Sequence, residues 1–153
     1  MNERERYLKQ LVDHREDVQS LLNSLAHQLI ERGRIHDKSK FSDPELEGFS
    51  KNIDMVKDIK YGTEEHINNK RKLQSVIDTH HKNNQHHPEH WNRGIEDMSI
   101  LDILEMMVDW KCASKKYKHG NFKDSLEVNS KLYGISDQLK SVMENTFNRH
   151  FNE

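Results

Sequence analysis

Ile100-Leu101-Asp102-Ile103-Leu104-Glu105-Met106-Met107-Val108-Asp109-Trp110 settles the class of fold. Apolar residues fill most positions, while Asp102, Glu105 and Asp109 recur at intervals of three and four, which puts the three acids on one helical face. The pattern predicts a helix from about Met98 to Tyr117, apolar nearly all round and therefore buried on most sides. A carboxylate stripe on such a helix needs a cation, a positive partner or strong hydrogen bonds. Metal or histidine partners would meet that need, and so would ion pairs with Lys and Arg of a neighbouring helix.

Upstream of this helix, residues 83–94 are polar, contain Pro88 and read as a loop. Before them, Thr63-Glu64-Glu65 starts a helix whose inward side is Leu73, Val76 and Ile77 and which runs into His80 and His81. Ser42-Asp43-Pro44-Glu45 reads as another helix start, with a capping side chain and Pro in the first turn. That helix carries Leu46, Phe49, Ile53 and Val56 and fades near Tyr61-Gly62. A short helical piece should hold His36 to Lys40. The first segment, about Glu3 to Arg32, repeats Leu8, Leu11, Val18, Leu21, Leu22, Leu25 and Leu29 at threes and fours. It is expected to bury one stripe and to end at Gly33.

Downstream, His119-Gly120-Asn121 breaks the chain. Two amphipathic helices close it, one with Leu126 and Leu132, the other with Ile135, Leu139, Val142, Met143 and Phe147, separated by Gly134. No repeat and no convincing strand interrupts the pattern. The expectation is all-α: one domain over 1–153, a single bundle of six or seven helices, with a motif-bearing core at about 7–117 and a C-terminal helical pair at about 121–151.

Composition agrees. The 153 residues are 33% apolar and 33% charged, with a mean hydropathy of −1.05, as suits a small bundle with a solvated outside. A net charge of −2 gives no electrostatic reason to expect nucleic acid as a partner. Lys70-Arg71-Lys72 and Lys115-Lys116 read as solvated helix faces. The single Cys112 excludes an intramolecular disulfide and suits a reducing compartment. No apolar run approaches the roughly 20 residues that cross a bilayer, and the charged start, Met1 to Arg6, lacks the apolar stretch of a signal peptide. A cytoplasmic protein without a membrane partner is expected, with an oligomer left open.

One count stands apart: eleven histidines, five of them between His80 and His90. His80 and His81 extend the Val76/Ile77 stripe by one turn, so at least one points inward. His86 and His87 follow in the loop and can fold back toward the same spot. A histidine-rich tract can also be a loose surface trap for metal, but the inward phase of His80 and His81 argues for a built site. His36 and Asp37 project about 100° apart on a helix and can flank one metal position. His14, on the apolar stripe of the first helix, reads by itself as a core histidine. In the company of the others it becomes a candidate ligand. Imidazole ligands must be neutral and ordinarily titrate near 6.5, so such a site is expected to release metal below about pH 6.

The order His14, His36-Asp37, the histidine tract, then Asp109 resembles the HD-domain superfamily of metal-dependent phosphohydrolases. In that family an early helical His, a His-Asp pair and a later Asp hold metal inside a helical bundle. The resemblance implies an HD-domain-like fold with ligands His14, His36, Asp37 and Asp109, to which His81 and His87 add a further pair, either member of each His-His pair being eligible. His36-Asp37-Lys38-Ser39-Lys40 is similar to a variant whose lysine, here Lys40, reaches a substrate phosphate. More closely, the chain resembles an uncharacterised HD-like family of bacteria and their phages. The shared text is His36-Asp37-Lys38-Ser39-Lys40-Phe41, Glu45, His80-His81-Lys82, Asn84, His86-His87-Pro88-Glu89, Glu105-Met106 and Asp109-Trp110.

The implied function is hydrolysis of a nucleotide or other small phosphoester with one or two divalent transition metals, Fe, Mn, Co, Ni or Zn. Two rival readings use the same residues. One is a non-catalytic module that sequesters a nucleotide, as in phage counter-defence. The other is a di-iron protein that uses oxygen.

Overall fold

The computed structural model describes residues 1–53, 63–116 and 120–151. It is all-α, with seven α-helices and no strand among the described residues. The chain separates into two compact units, Met1–His36 and Asp37–Glu153.

The first unit is one long helix, α1 (Glu3–Ile35), started by a capping box in which the Asn2 side chain accepts from the Glu5 amide and Glu5 accepts from the Asn2 amide. One expectation fails here. Gly33 lies inside the helix, which runs on to Ile35 with His36 as its C-cap. The chain first turns left-handed at Asp37, φ 56°. Within this unit nothing covers the apolar stripe, which apart from the half-buried Leu29 runs from Leu25 at 41% to Leu21 at 69% exposed. A unit made of one helix has no second element of its own on which to lay a stripe.

The second unit begins with a 3₁₀ turn, Lys38–Phe41, followed by α2 (Glu45–Ser50). Pro44, expected in the first turn, is itself the N-cap, and the Asp43 carboxylate just before it accepts from the Glu47 amide. The helix is shorter than expected. Leu46 and Ile53 are exposed, and its inner side is Glu45, Gly48 and Phe49. Val56 and Tyr61-Gly62 lie outside the described residues.

The one helix expected from Thr63 to His81 is two, α3 (Glu64–Lys72) and α4 (Gln74–Asn83). Leu73 leaves helical geometry (φ −102°, ψ 8°) to become the N-cap of α4. Gly48 lets α2 close on α4: a Cβ there would stand 2.4 Å from Val76 Cγ2. The polar stretch after α4 holds two 3₁₀ turns, Pro88–His90 and Gly94–Asp97.

α5 (Ile100–Ser114) carries the acidic stripe. Its Met106, Met107 and Trp110 meet Phe122 and Leu126 of α6 (Phe122–Tyr133) and Met143 and Phe147 of α7 (Asp137–His150) in one apolar core. Phe122 stacks on Phe147 at 4.3 Å between ring centres. Gly134, at φ 63°, makes the left-handed cap that ends α6. The C-terminal pair therefore covers the apolar side of α5 and leaves its acids for the other side.

Candidate metal centre

Four elements of the second unit deliver the site. Asp37 comes first, held left-handed at φ 56°, ψ 21°. Asp is one of the few residues besides Gly that tolerate this region. The turn that follows brings Lys40 Nζ to 2.6 Å from Asp37 Oδ2, leaving Asp37 Oδ1 to face the histidines.

His80 sits one turn beyond Val76 on α4 and is 4% exposed. Its Nε2 is 3.3 Å from Asp37 Oδ1 and its Nδ1 is 2.8 Å from Glu45 Oε2. Past Asn83 the chain goes extended at Asn84 and folds back, the His87 amide donating to the Asn84 carbonyl. Trp91 Nε1 donates to the Gln85 carbonyl and fastens the loop.

This fold-back buries His86, 3% exposed. Its Nε2 lies 3.5 Å from Asp37 Oδ1 and its Nδ1 3.3 Å from Glu105 Oε1 on α5. His87 Nε2 is 2.9 Å from His80 Nε2. His80 and His86 are thus arranged alike: each turns Nε2 toward the same Asp37 oxygen and Nδ1 toward a carboxylate.

The electrostatics favour neutral rings. Burial pushes His80 below its ordinary value, aided by the Lys40 charge and opposed by Asp37 and Glu45. The contact with Asp37 is therefore one of a neutral imidazole rather than an ion pair. His87 is pushed much further down, by burial first and then by His86, His80 and His81. His81 is also lowered, chiefly by burial. Burial would raise the Glu45 carboxyl, but hydrogen bonds from Asn83, His80 and Ser39 outweigh it and hold it below the usual carboxylate range.

The donor set could hold a metal ion. One ligand atom from each of Asp37, His80, His86 and His87 lies within 4.8 Å of the other three. The measured separations of 2.9, 3.3 and 3.5 Å bracket the edge of about 3.4 Å expected for four ligands about 2.1 Å from one ion. Three imidazoles and a carboxylate suit Zn, Fe, Co, Ni or Mn better than Mg or Ca.

Of the residues picked from sequence, Asp37 and His87 stand in this group, joined by His80 in place of His81. His81, half-buried, has Nδ1 3.6 Å from Glu89 Oε1 and groups with His87 and Glu89 instead. An oxygen of Asp109 comes within 4.8 Å of one of Asp37. Lys40 flanks the group through Asp37. His14 and His36 belong to the first unit, His14 exposed in the middle of α1 and His36 half-buried at its end.

The acidic stripe divides by task. Asp102 caps its own helix, accepting from the Ser99 amide and hydroxyl, whereas Glu105 reaches His86. Sequence reasoning placed Glu45 in the shared family text but gave it no task beyond starting a helix. Its signal was Gly48 three residues on, a small residue that marks the packed side of a helix otherwise assigned from Leu46 and Ile53.

Over residues 3–149 the chain matches the model of a family of unknown function, DUF5662, and it belongs to that family. No curated protein and no solved structure gives a significant match. No helix among the described residues is long and apolar enough to cross a membrane.

Proposed function

Within that family, we propose that this chain is a metal-dependent hydrolase of small phosphoesters, nucleotides included, with its ion held by Asp37, His80, His86 and His87. The observation that carries the reading is the convergence of Nε2 of His80 and of His86 on Asp37 Oδ1, at 3.3 and 3.5 Å, with a carboxylate behind each ring. Loose surface histidines have no such backing, whereas metal-bound histidines nearly always do.

A bound ion would supply Lewis acidity and bring the pKa of a water toward neutrality. The chain's own residues do the rest. Asp37 divides its two oxygens between the histidine group and Lys40, so the ammonium is held beside the centre. It is partly exposed there and can turn to a phosphate oxygen as negative charge builds. His80 and His86 are buried, whereas Lys40 is partly exposed. The phosphoester class rests on the likeness of His36-Asp37-Lys38-Ser39-Lys40 to HD phosphohydrolases together with this placement of Lys40.

Elemental analysis of untagged protein, followed by phosphatase and phosphodiesterase panels with Mn, Co, Fe and Zn, tests the proposal. Lys40→Ala should keep the metal and lose about 10²- to 10³-fold in kcat/KM. Protein without metal, or metal-loaded protein that returns every phosphoester intact, would overturn it. Unaltered nucleotide recovered after denaturation would point to a sequestering module, and tightly bound iron with visible charge-transfer absorption to oxygen chemistry.

A further inference from the structure

Glu45 is 1% exposed, and its contacts pose a question of hydrogen-bond arithmetic. Asn84 Nδ2 lies 2.8 Å from Ser39 Oγ, 2.7 Å from the His80 carbonyl oxygen and 3.0 Å from His80 Nδ1. An amide nitrogen has two hydrogens for these three neighbours. The two shortest and only unambiguous acceptors, the hydroxyl and the carbonyl, take both. Ser39 Oγ, having accepted from Asn84, donates its own hydrogen to Glu45 Oε2 at 2.9 Å. Asn83 Nδ2 donates to Glu45 Oε1 at 3.0 Å. What remains is His80 Nδ1, 2.8 Å from Glu45 Oε2. With no amide hydrogen left for it, and a carboxylate oxygen facing it, Nδ1 must carry the proton and donate.

We propose that Glu45 is the positioning residue of the centre: through Nδ1–H it fixes the tautomer and ring angle of His80, so that the Nε2 lone pair is presented to the ion. The inference rests on the metal-centre reading above and adds a residue that touches neither ion nor substrate.

The network is built to make this choice one-sided. The donors to Glu45 are neutral, from Ser39, Asn83 and His80, and among the described residues no lysine or arginine bonds it. The carboxylate therefore keeps its negative charge for the imidazole, which makes Nε2 a stronger donor to a cation. The opposite tautomer would turn an Nδ1 lone pair onto the carboxylate and place a hydrogen where the ion belongs. Glu105 stands toward His86 Nδ1 in a comparable way but at 3.3 Å, so the tighter restraint falls on His80.

Two measurements decide it. In metal-free, ¹⁵N-labelled wild-type protein, long-range ¹H–¹⁵N correlation should show one histidine, missing from His80→Gln, with Nδ1 protonated and Nε2 bare. An Nε2–H tautomer for His80 overturns the proposal without any change at Glu45. Second, Co²⁺ affinity is measured by chelator competition on wild type and Glu45→Gln, with helical content checked by circular dichroism. The variant should bind about 10- to 100-fold more weakly. A purely structural role would lower the melting temperature of the metal-free variant and leave Co²⁺ affinity where it was, and that result also overturns the proposal. If Glu45→Gln does not fold, the tautomer measured on the unmodified chain decides between the two roles. Wild-type protein that takes up no Co²⁺ while His80 shows the Nδ1–H form refutes the centre rather than the pairing.

Discussion

Acidifying the metal-free protein from pH 7.5 to 5.5 should weaken the fold itself, because His80 and His87 of the site and their neighbour His81 are held below their ordinary values, chiefly by burial. In the unfolded chain each imidazole takes up a proton near pH 6.5. The folded chain resists, so the unfolded state binds more protons and gains stability as pH falls. The stabilisation is therefore full above about 6.5 and is lost below it. His87 lies so far down that it stays neutral in the fold across this interval. It alone costs about 1.4 kcal/mol between pH 7.5 and 5.5, or about 5 °C in Tm for a domain of this size, with His80 and His81 acting in the same direction.

A further consequence sharpens the expectation that metal leaves below about pH 6. Exposed histidine ligands would give up their ion near pH 6 with the fold intact. Rings that burial holds below their ordinary value resist protonation in the fold, so metal release and helix loss should follow one curve. Paired titrations, circular dichroism at 222 nm against metal content after rapid desalting, read this directly. Metal leaving near pH 6 from a fully helical protein, or a chelated Tm that does not move between the two pH values, would refute the reasoning.

Asp37→Ala should strip the ion, since it removes the one oxygen that both His80 and His86 face; metal content after dialysis checks it. Gly48→Ala should cost about 1–3 kcal/mol, because the new Cβ would stand 2.4 Å from the branched Val76 side chain. By pushing α2 off α4 it should also weaken Co²⁺ binding, read alongside a urea melt. Met106→Ala, at a position 0% exposed in the core, should cost about 2–5 kcal/mol while a folded variant at low temperature keeps its metal affinity.

The helical class and most element positions were legible because period and breaking residues are local properties. Gly134 separates α6 from α7 as expected. What failed was the use of apolar periodicity where apolar residues do not set the burial. On α2 the inward side is Glu45, Gly48 and Phe49 while Leu46 faces out. The inward phase extrapolated from Val76 and Ile77 reached the buried His80 correctly. Its neighbour His81 was nevertheless preferred as a ligand, because a dipeptide does not say which ring a turn of helix will carry inward. The task of Glu45 was illegible for a plainer reason. A carboxylate at a helix start has an adequate local explanation, and only the chain returning from residue 80 reveals the other.

The spacing of the site along the chain also bears on its denatured state. His80 and His87 meet across seven positions, whereas Glu45 joins His80 from 35 positions away. By loop-closure entropy, drawing in the distant partner costs about 1.4 kcal/mol more than closing the short segment. The histidine half can therefore gather around a cation while the rest of the chain is still disordered, giving the ion a foothold in the unfolded ensemble. Such a foothold subtracts from the stabilisation that excess metal confers, since only the difference in affinity between folded and unfolded chains counts. Glu45 belongs to the fold alone: it widens that difference, and with it the fraction of the ion's binding energy that reports on the native state.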